Sequence, residues 1–180
     1  MKSPFKFLDA YERNDKDIYF GRLEEVEQLY EMAHQSNLVL VYGESGTGKT
    51  SLIKCGLSNR FLVTDWFSLE IRRQNNINEA LQREIRKAAD TPIAAEVPLE
   101  KALYSLYLDY LKPVYLIFDQ FEELFILGSR EEQQTFIRSI AGLQQAGAPC
   151  KMIFAMREEF IALLYAFEKA VPTLLSLIHI

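Results

Sequence analysis

Histidine is nearly absent: His34 and His179 are the only two among 180 residues, which excludes a histidine-rich metal centre and leaves a Ser-His-Asp hydrolase poorly supported. Cysteine is equally scarce. Cys55 and Cys150 are far apart, follow no metal-ligand spacing and are too few for a disulfide framework, which suits a reducing cytosol. Long apolar runs are also missing. No window reaches the roughly 18 uncharged apolar residues of a membrane span, because Glu168 and Lys169 interrupt the most apolar stretch. The N-terminal MKSPFKFLDAYERNDKD lacks the apolar segment of a signal peptide. We therefore expect a soluble, cytoplasmic chain without membrane contact. Basic charge is in deficit, with 20 Lys and Arg against 25 Asp and Glu and a net charge of −5, which disfavours nucleic acid as a partner.

Apolar residues make up 49% of the sequence and aromatic residues 12%, enough to bury the core of one domain. Residues 38–42 and 114–118 are short apolar runs that end at Gly43 and Asp119, and both read as buried strands. Residues 65–71 and 151–156 make two more strands. Helical periodicity lies between them: Leu23, Val26, Leu29, Tyr30 and Ala33; Ile77, Leu81 and Ile85; Leu99, Leu103, Leu106 and Tyr110. A further helix starts at Ser129, where Glu132 has the spacing of a capping box. Strands alternating with helices predict an α/β fold, a mainly parallel sheet with helices on both faces. Ligands of such sheets sit beyond the carboxyl ends of the strands, where Gly43, Asp119 and Arg157 all fall.

Gly43-Glu44-Ser45-Gly46-Thr47-Gly48-Lys49-Thr50 fits G-x-x-x-x-G-K-[ST], and Ser51 follows it. Glycines let successive amides turn inward on phosphate oxygens, and the next helix adds its positive end. Lys49 then supplies charge to the β- and γ-phosphates, and Thr50 a hydroxyl for Mg²⁺. A glycine turn that merely caps a helix does not require this strand-loop-helix setting. The expected cofactors are ATP and Mg²⁺, since no N-K-x-D element for reading guanine is present.

A phosphate loop calls for a carboxylate at the end of a second buried strand, and Asp119 is the candidate. Glu122 and Glu123 follow in the turn, where one can orient or deprotonate the attacking water; the other is a helix-start acid, and the sequence does not choose between them. Arg157 reads as a guanidinium for the γ-phosphate or the transition state, against a surface ion pair with a neighbouring glutamate.

YFGRLEEV at 19–26, GESGTGKTSLI, DQFEEL and MREEF together resemble the STAND class of signalling ATPases, specifically the novel STAND NTPase domains of multidomain bacterial proteins, over about residues 4–172. The resemblance implies a P-loop NTPase core in which Phe20, Gly21 and Arg22 flank adenine, Asp119 serves the metal, Glu122 and Glu123 are the catalytic acids and Arg157 is the sensor. It implies a regulated ATPase switch, with protein partners or further domains and homo-oligomers on activation. The expected division is one core over residues 1–180: an extension at 1–20, the ATPase core at 21–172 and an atypical end at 173–180, with the helical lid of the class absent. Residues 172–180 are apolar enough for a fifth strand. Three other readings stay open: a DNA-associated ATPase like the origin-recognition ATPases, a small-molecule phosphotransferase, and a nucleotide-binding interaction module without turnover.

Overall fold

The computed structural model describes residue 6, residues 9–165 and residues 176–180. The remainder of the expected N-terminal extension and part of the expected C-terminal end lie outside the described residues. Five strands form one sheet: β1 (Leu38–Gly43), β2 (Phe67–Ile71), β3 (Val114–Phe118), β4 (Cys150–Arg157) and β5 (Ser176–His179). Their order is β2-β3-β4-β1-β5, and every neighbouring pair runs parallel. The strand bearing Arg157 thus lies between the strand leading to the phosphate loop and the strand leading to Asp119.

Parallel strands need crossovers, and here the crossovers cover both faces. In β1, Leu38 and Leu40 point to one face and join a core with Ile77, Leu103 and Phe136. Val39 and Val41 point to the other and join Leu29, Ile53 and Leu57. This two-residue alternation explains why the strand is apolar throughout rather than at every second position. The first face is covered by α3 (Ile77–Ala88), α4 (Leu99–Tyr110) and α6 (Arg130–Gln145). The second is covered by α1 (Leu23–Gln35) and by α2, the continuous helical stretch made of Lys49–Ser51, a π-type turn at Leu52–Leu57 and Ser58–Arg60. A short turn of helix, α5 (Glu123–Ile126), follows β3.

Two details depart from the sequence reading. A 3-10 helix at Arg13–Ile18 packs before α1, where no apolar period announced it. Ser129 does cap α6, its hydroxyl accepting from Glu132 N at 3.1 Å. The Glu132 side chain, however, does not complete a capping box at Ser129. It turns inward to accept from Arg73 Nε and Nη2 at 3.0 and 2.8 Å and from the Ile77 amide at 2.8 Å, because a buried cation outcompetes an exposed amide.

Candidate active site

Gly46 and Gly48 have φ of 83° and 89°, the left-handed region that glycine enters without the penalty of a side chain. They curl the loop between β1 and α2. Thr47 stabilises the curl by donating its hydroxyl to Glu44 O at 3.1 Å. Lys49 bends back over the loop and donates to Gly43 O at 2.9 Å and Glu44 O at 2.6 Å. Burial pushes its pKa below the usual lysine value, opposed by the nearby Glu122, Glu159 and Asp119 carboxylates.

The acid turn after β3 is fixed by both neighbouring strands. Asp119 N donates to Ile71 O at the end of β2 (3.1 Å), and Phe121 N donates to Ala155 O of β4 (2.9 Å). Between them Gln120 adopts φ of 55°, which reverses the chain. Phe121 anchors the turn from below, packed against Phe118, Phe136 and Phe154, and Phe118 stacks on Phe154 at 4.7 Å. Asp119 and Glu122 are held at 5% and 3% exposure on a rigid base.

Thr50 Oγ1 donates to Asp119 Oδ1 at 2.9 Å, so the loop and the acid strand meet on the same side of the sheet. Gln120 N also donates to Oδ1, at 3.1 Å, and Arg72 Nη2 donates to Oδ2 at 2.6 Å. Arg157 Nε contacts Glu122 Oε1 at 3.1 Å and its Nη1 lies 3.9 Å from Glu159. Glu122 Oε2 is buried and has no hydrogen-bond partner among the described residues. Lys49, Thr50, Asp119, Glu122 and Arg157 line one cleft of about 590 Å³, together with Ser45, Gly46 and Gly48. Glu123 is half-buried at the start of α5 and does not line this cleft; Glu44 is exposed on the loop.

A second hollow of about 360 Å³ adjoins the loop, lined by Tyr19, Phe20, Arg22, Thr47 and Gly48. Gly21 has φ of 82°, which turns the chain so that Phe20 stands 76% exposed and Arg22 reaches back. Arg22 Nη2 donates to Thr47 O at 3.1 Å, and Nη1 pairs with Glu25 at 2.6 Å. Tyr11 borders both spaces, and its amide donates to Ser51 Oγ at 3.0 Å.

Sequence reasoning missed Arg72 and the segment Asp9–Tyr11, both of which line the cleft. Arg72 directly follows β2, so the strand-end rule applied to Gly43, Asp119 and Arg157 would have found it. The Asp9–Tyr11 segment carries no comparable signal. A hydroxyl and a carboxylate oxygen brought together fit Mg²⁺, which takes few protein ligands and relies on substrate phosphates and water for the others.

The sequence profile of the novel STAND NTPase 1 family matches residues 4–178. The chain belongs to this family. Among solved structures, the novel STAND NTPase 1 chain is similar to the Walker-type ATPase PABY2304 of Pyrococcus abyssi, with a TM-score of 0.67 and 20% identity over 93% of this chain and 52% of that one. It is also similar to the ORC2 protein of Aeropyrum pernix, solved as ADPNP-ADP complexes, with a TM-score of 0.65 and 17% identity over 90% and 48%. Drosophila ORC bound to DNA follows at a TM-score of 0.54 and 14% identity over 88% and 89%. At these identities the likeness shows an α/β P-loop fold. The chain spans about half the length of the first two structures. A search of curated proteins finds no match. Among the described residues, no helix is long and apolar enough to cross a membrane.

Proposed function

We propose that this novel STAND NTPase 1 chain binds ATP with Mg²⁺ and hydrolyses it slowly, as the core of a signal-transduction switch in the bacterial cytosol. The observation that carries the proposal is the meeting of Lys49, Thr50 and Asp119 in one cleft with Glu122, whose Oε2 has no hydrogen-bond partner among the described residues.

The nucleotide enters with its base beside Phe20, Gly21 and Arg22 and its phosphates in the cleft. Lys49 leaves the Gly43 and Glu44 carbonyls for the β- and γ-phosphate oxygens, exchanging neutral acceptors for charged ones. Thr50 and Asp119 would hold Mg²⁺, which when bound offsets triphosphate charge. Glu122 Oε2 accepts a hydrogen bond from a water beside the γ-phosphorus. As the water oxygen bonds to phosphorus, its proton passes to Glu122 and the bond to the β-γ bridging oxygen breaks, leaving its electron pair on ADP. Arg157 must release Glu122 before its guanidinium can face the γ-phosphate, a rearrangement that fits slow turnover. The bound nucleotide then biases packing against protein partners, further domains or other copies, and hydrolysis resets it.

Calorimetry with ATP and Mg²⁺ tests the reading. Wild type should bind and Lys49→Ala should not; equal binding by the two would overturn it. Glu122→Gln should retain binding and lose about a hundredfold or more in turnover, whereas Glu123→Gln should retain most of it. Salt-sensitive retention on duplex DNA would favour the DNA-associated reading instead.

A further inference from the structure

Asp119 divides its two oxygens between different kinds of partner. Oδ1 accepts from the Thr50 hydroxyl and the Gln120 amide. Oδ2 accepts from Arg72, a side chain that comes off the strand on the far side of β3 from the phosphate loop. The carboxylate is 5% exposed and Arg72 51% exposed, so a buried anion is neutralised by a cation still standing largely in water. Only one guanidinium nitrogen touches Asp119, without the two-pronged geometry that would lock the pair. Leaving it costs little, provided a second cation arrives at Asp119 and a second anion is available to Arg72.

ATP with a divalent cation meets both conditions. Among the described residues, the hollow at Phe20 and Arg22 and the cleft at Lys49 share only Tyr11, Gly48 and Ser51, so the loop is the seam between them. A nucleotide with its base at Phe20 therefore reaches the cleft with its phosphate end. Arg72 lies in the same cleft as Lys49, and the terminal phosphate offers it charged oxygens of the kind that guanidinium groups prefer. ADP has no γ-phosphate to offer.

We propose that Arg72 is an exchangeable counter-ion: it holds Asp119 in the nucleotide-free protein and moves to the γ-phosphate when a metal ion takes the carboxylate. This inference rests on the ATP-binding reading above and adds a phosphate-binding residue to it. It makes the resting protein resist free Mg²⁺, and it makes Arg72 a discriminator between ATP and ADP.

The test uses the full chain, with Arg72→Ala and Arg72→Lys checked for unchanged circular dichroism. ATP binding is titrated against Mg²⁺, and ATP and ADP affinities are compared at saturating Mg²⁺. Arg72→Ala should reach half-saturation at several-fold less Mg²⁺ and lose about tenfold of its preference for ATP over ADP. Arg72→Lys, which keeps the charge but not the fork, should fall between Arg72→Ala and wild type on both measures. An unchanged Mg²⁺ midpoint, or an unchanged ATP-to-ADP ratio, in Arg72→Ala overturns the exchange while leaving ATP binding intact. Failure of wild type to bind ATP at all sinks both readings together.

Discussion

Arg72 and Arg73 are adjacent in sequence and face opposite fates. Arg73 is 10% exposed and grips Glu132 with two nitrogens, at 3.0 and 2.8 Å, while Nη2 also donates to Leu127 O at 3.2 Å. Glu132 in turn accepts from the Ile77 amide, so this pair ties the end of β2 to the starts of α3 and α6. Arg72 touches Asp119 through one nitrogen at the mouth of a cleft. A buried, fully partnered pair is scaffold, because breaking it strands a charge away from water. A pair that joins a half-exposed cation to a buried carboxylate through one nitrogen can trade partners when another cation takes the carboxylate. The sheet edge thus carries a fixed arginine and an adjustable one in consecutive positions.

The largest expected effect comes from removing the fixed pair. Glu132→Ala should lower the unfolding free energy by about 3–5 kcal/mol, read by chemical denaturation. A loss below about 1 kcal/mol would mean that water reaches Arg73 and that the contrast fails. Ser129→Ala isolates the remaining half of the expected capping box: the hydroxyl bond to Glu132 N goes while the Arg73 pair stays, for a cost of about 1 kcal/mol. Arg72→Ala should cost less than Glu132→Ala in the same assay, since Asp119, though buried, keeps Thr50 and Gln120. Alkali should separate the two arginines least, because guanidinium stays protonated throughout. Burial pushes the Cys150 thiol up to about 12, so the stability present below its ordinary value of 9.0 should be lost as the pH rises towards 12. Thermal melts of wild type and Arg72→Ala should decline in parallel over that range.

The elements that sequence made legible are those specified by local chemistry. The glycines of the phosphate loop, the apolar runs of β1 and β3 and the periodic helices each announce themselves within a dozen residues. So did the rim position of Asp119, since it ends a run that is apolar on both faces. Glu132 shows the limit: its spacing from Ser129 matched a capping box, but its partner Arg73 is 59 residues away and becomes available only once β2 and α6 are packed. Arg72 stands at a strand end that the sequence does mark, but its pairing with Asp119 was illegible for the same reason. Its meaning depends on β2 lying beside β3, which sheet order decides and local pattern does not. Which of Glu122 and Glu123 lines the cleft likewise depends on the turn: Phe121 fills the aromatic core, and the chain reversal sends Glu122 into the cleft.

Lys49 already gives two of its three ammonium hydrogens to carbonyls of its own loop. On the proposed ATP-binding reading, an incoming triphosphate consequently replaces bonds instead of adding them. The lysine contacts drawn in any nucleotide complex will overstate what binding gains, because the resting loop has something to lose. The same arrangement keeps a positive charge parked where it is needed, so the cradle waits in shape and the ligand has only to displace its occupant.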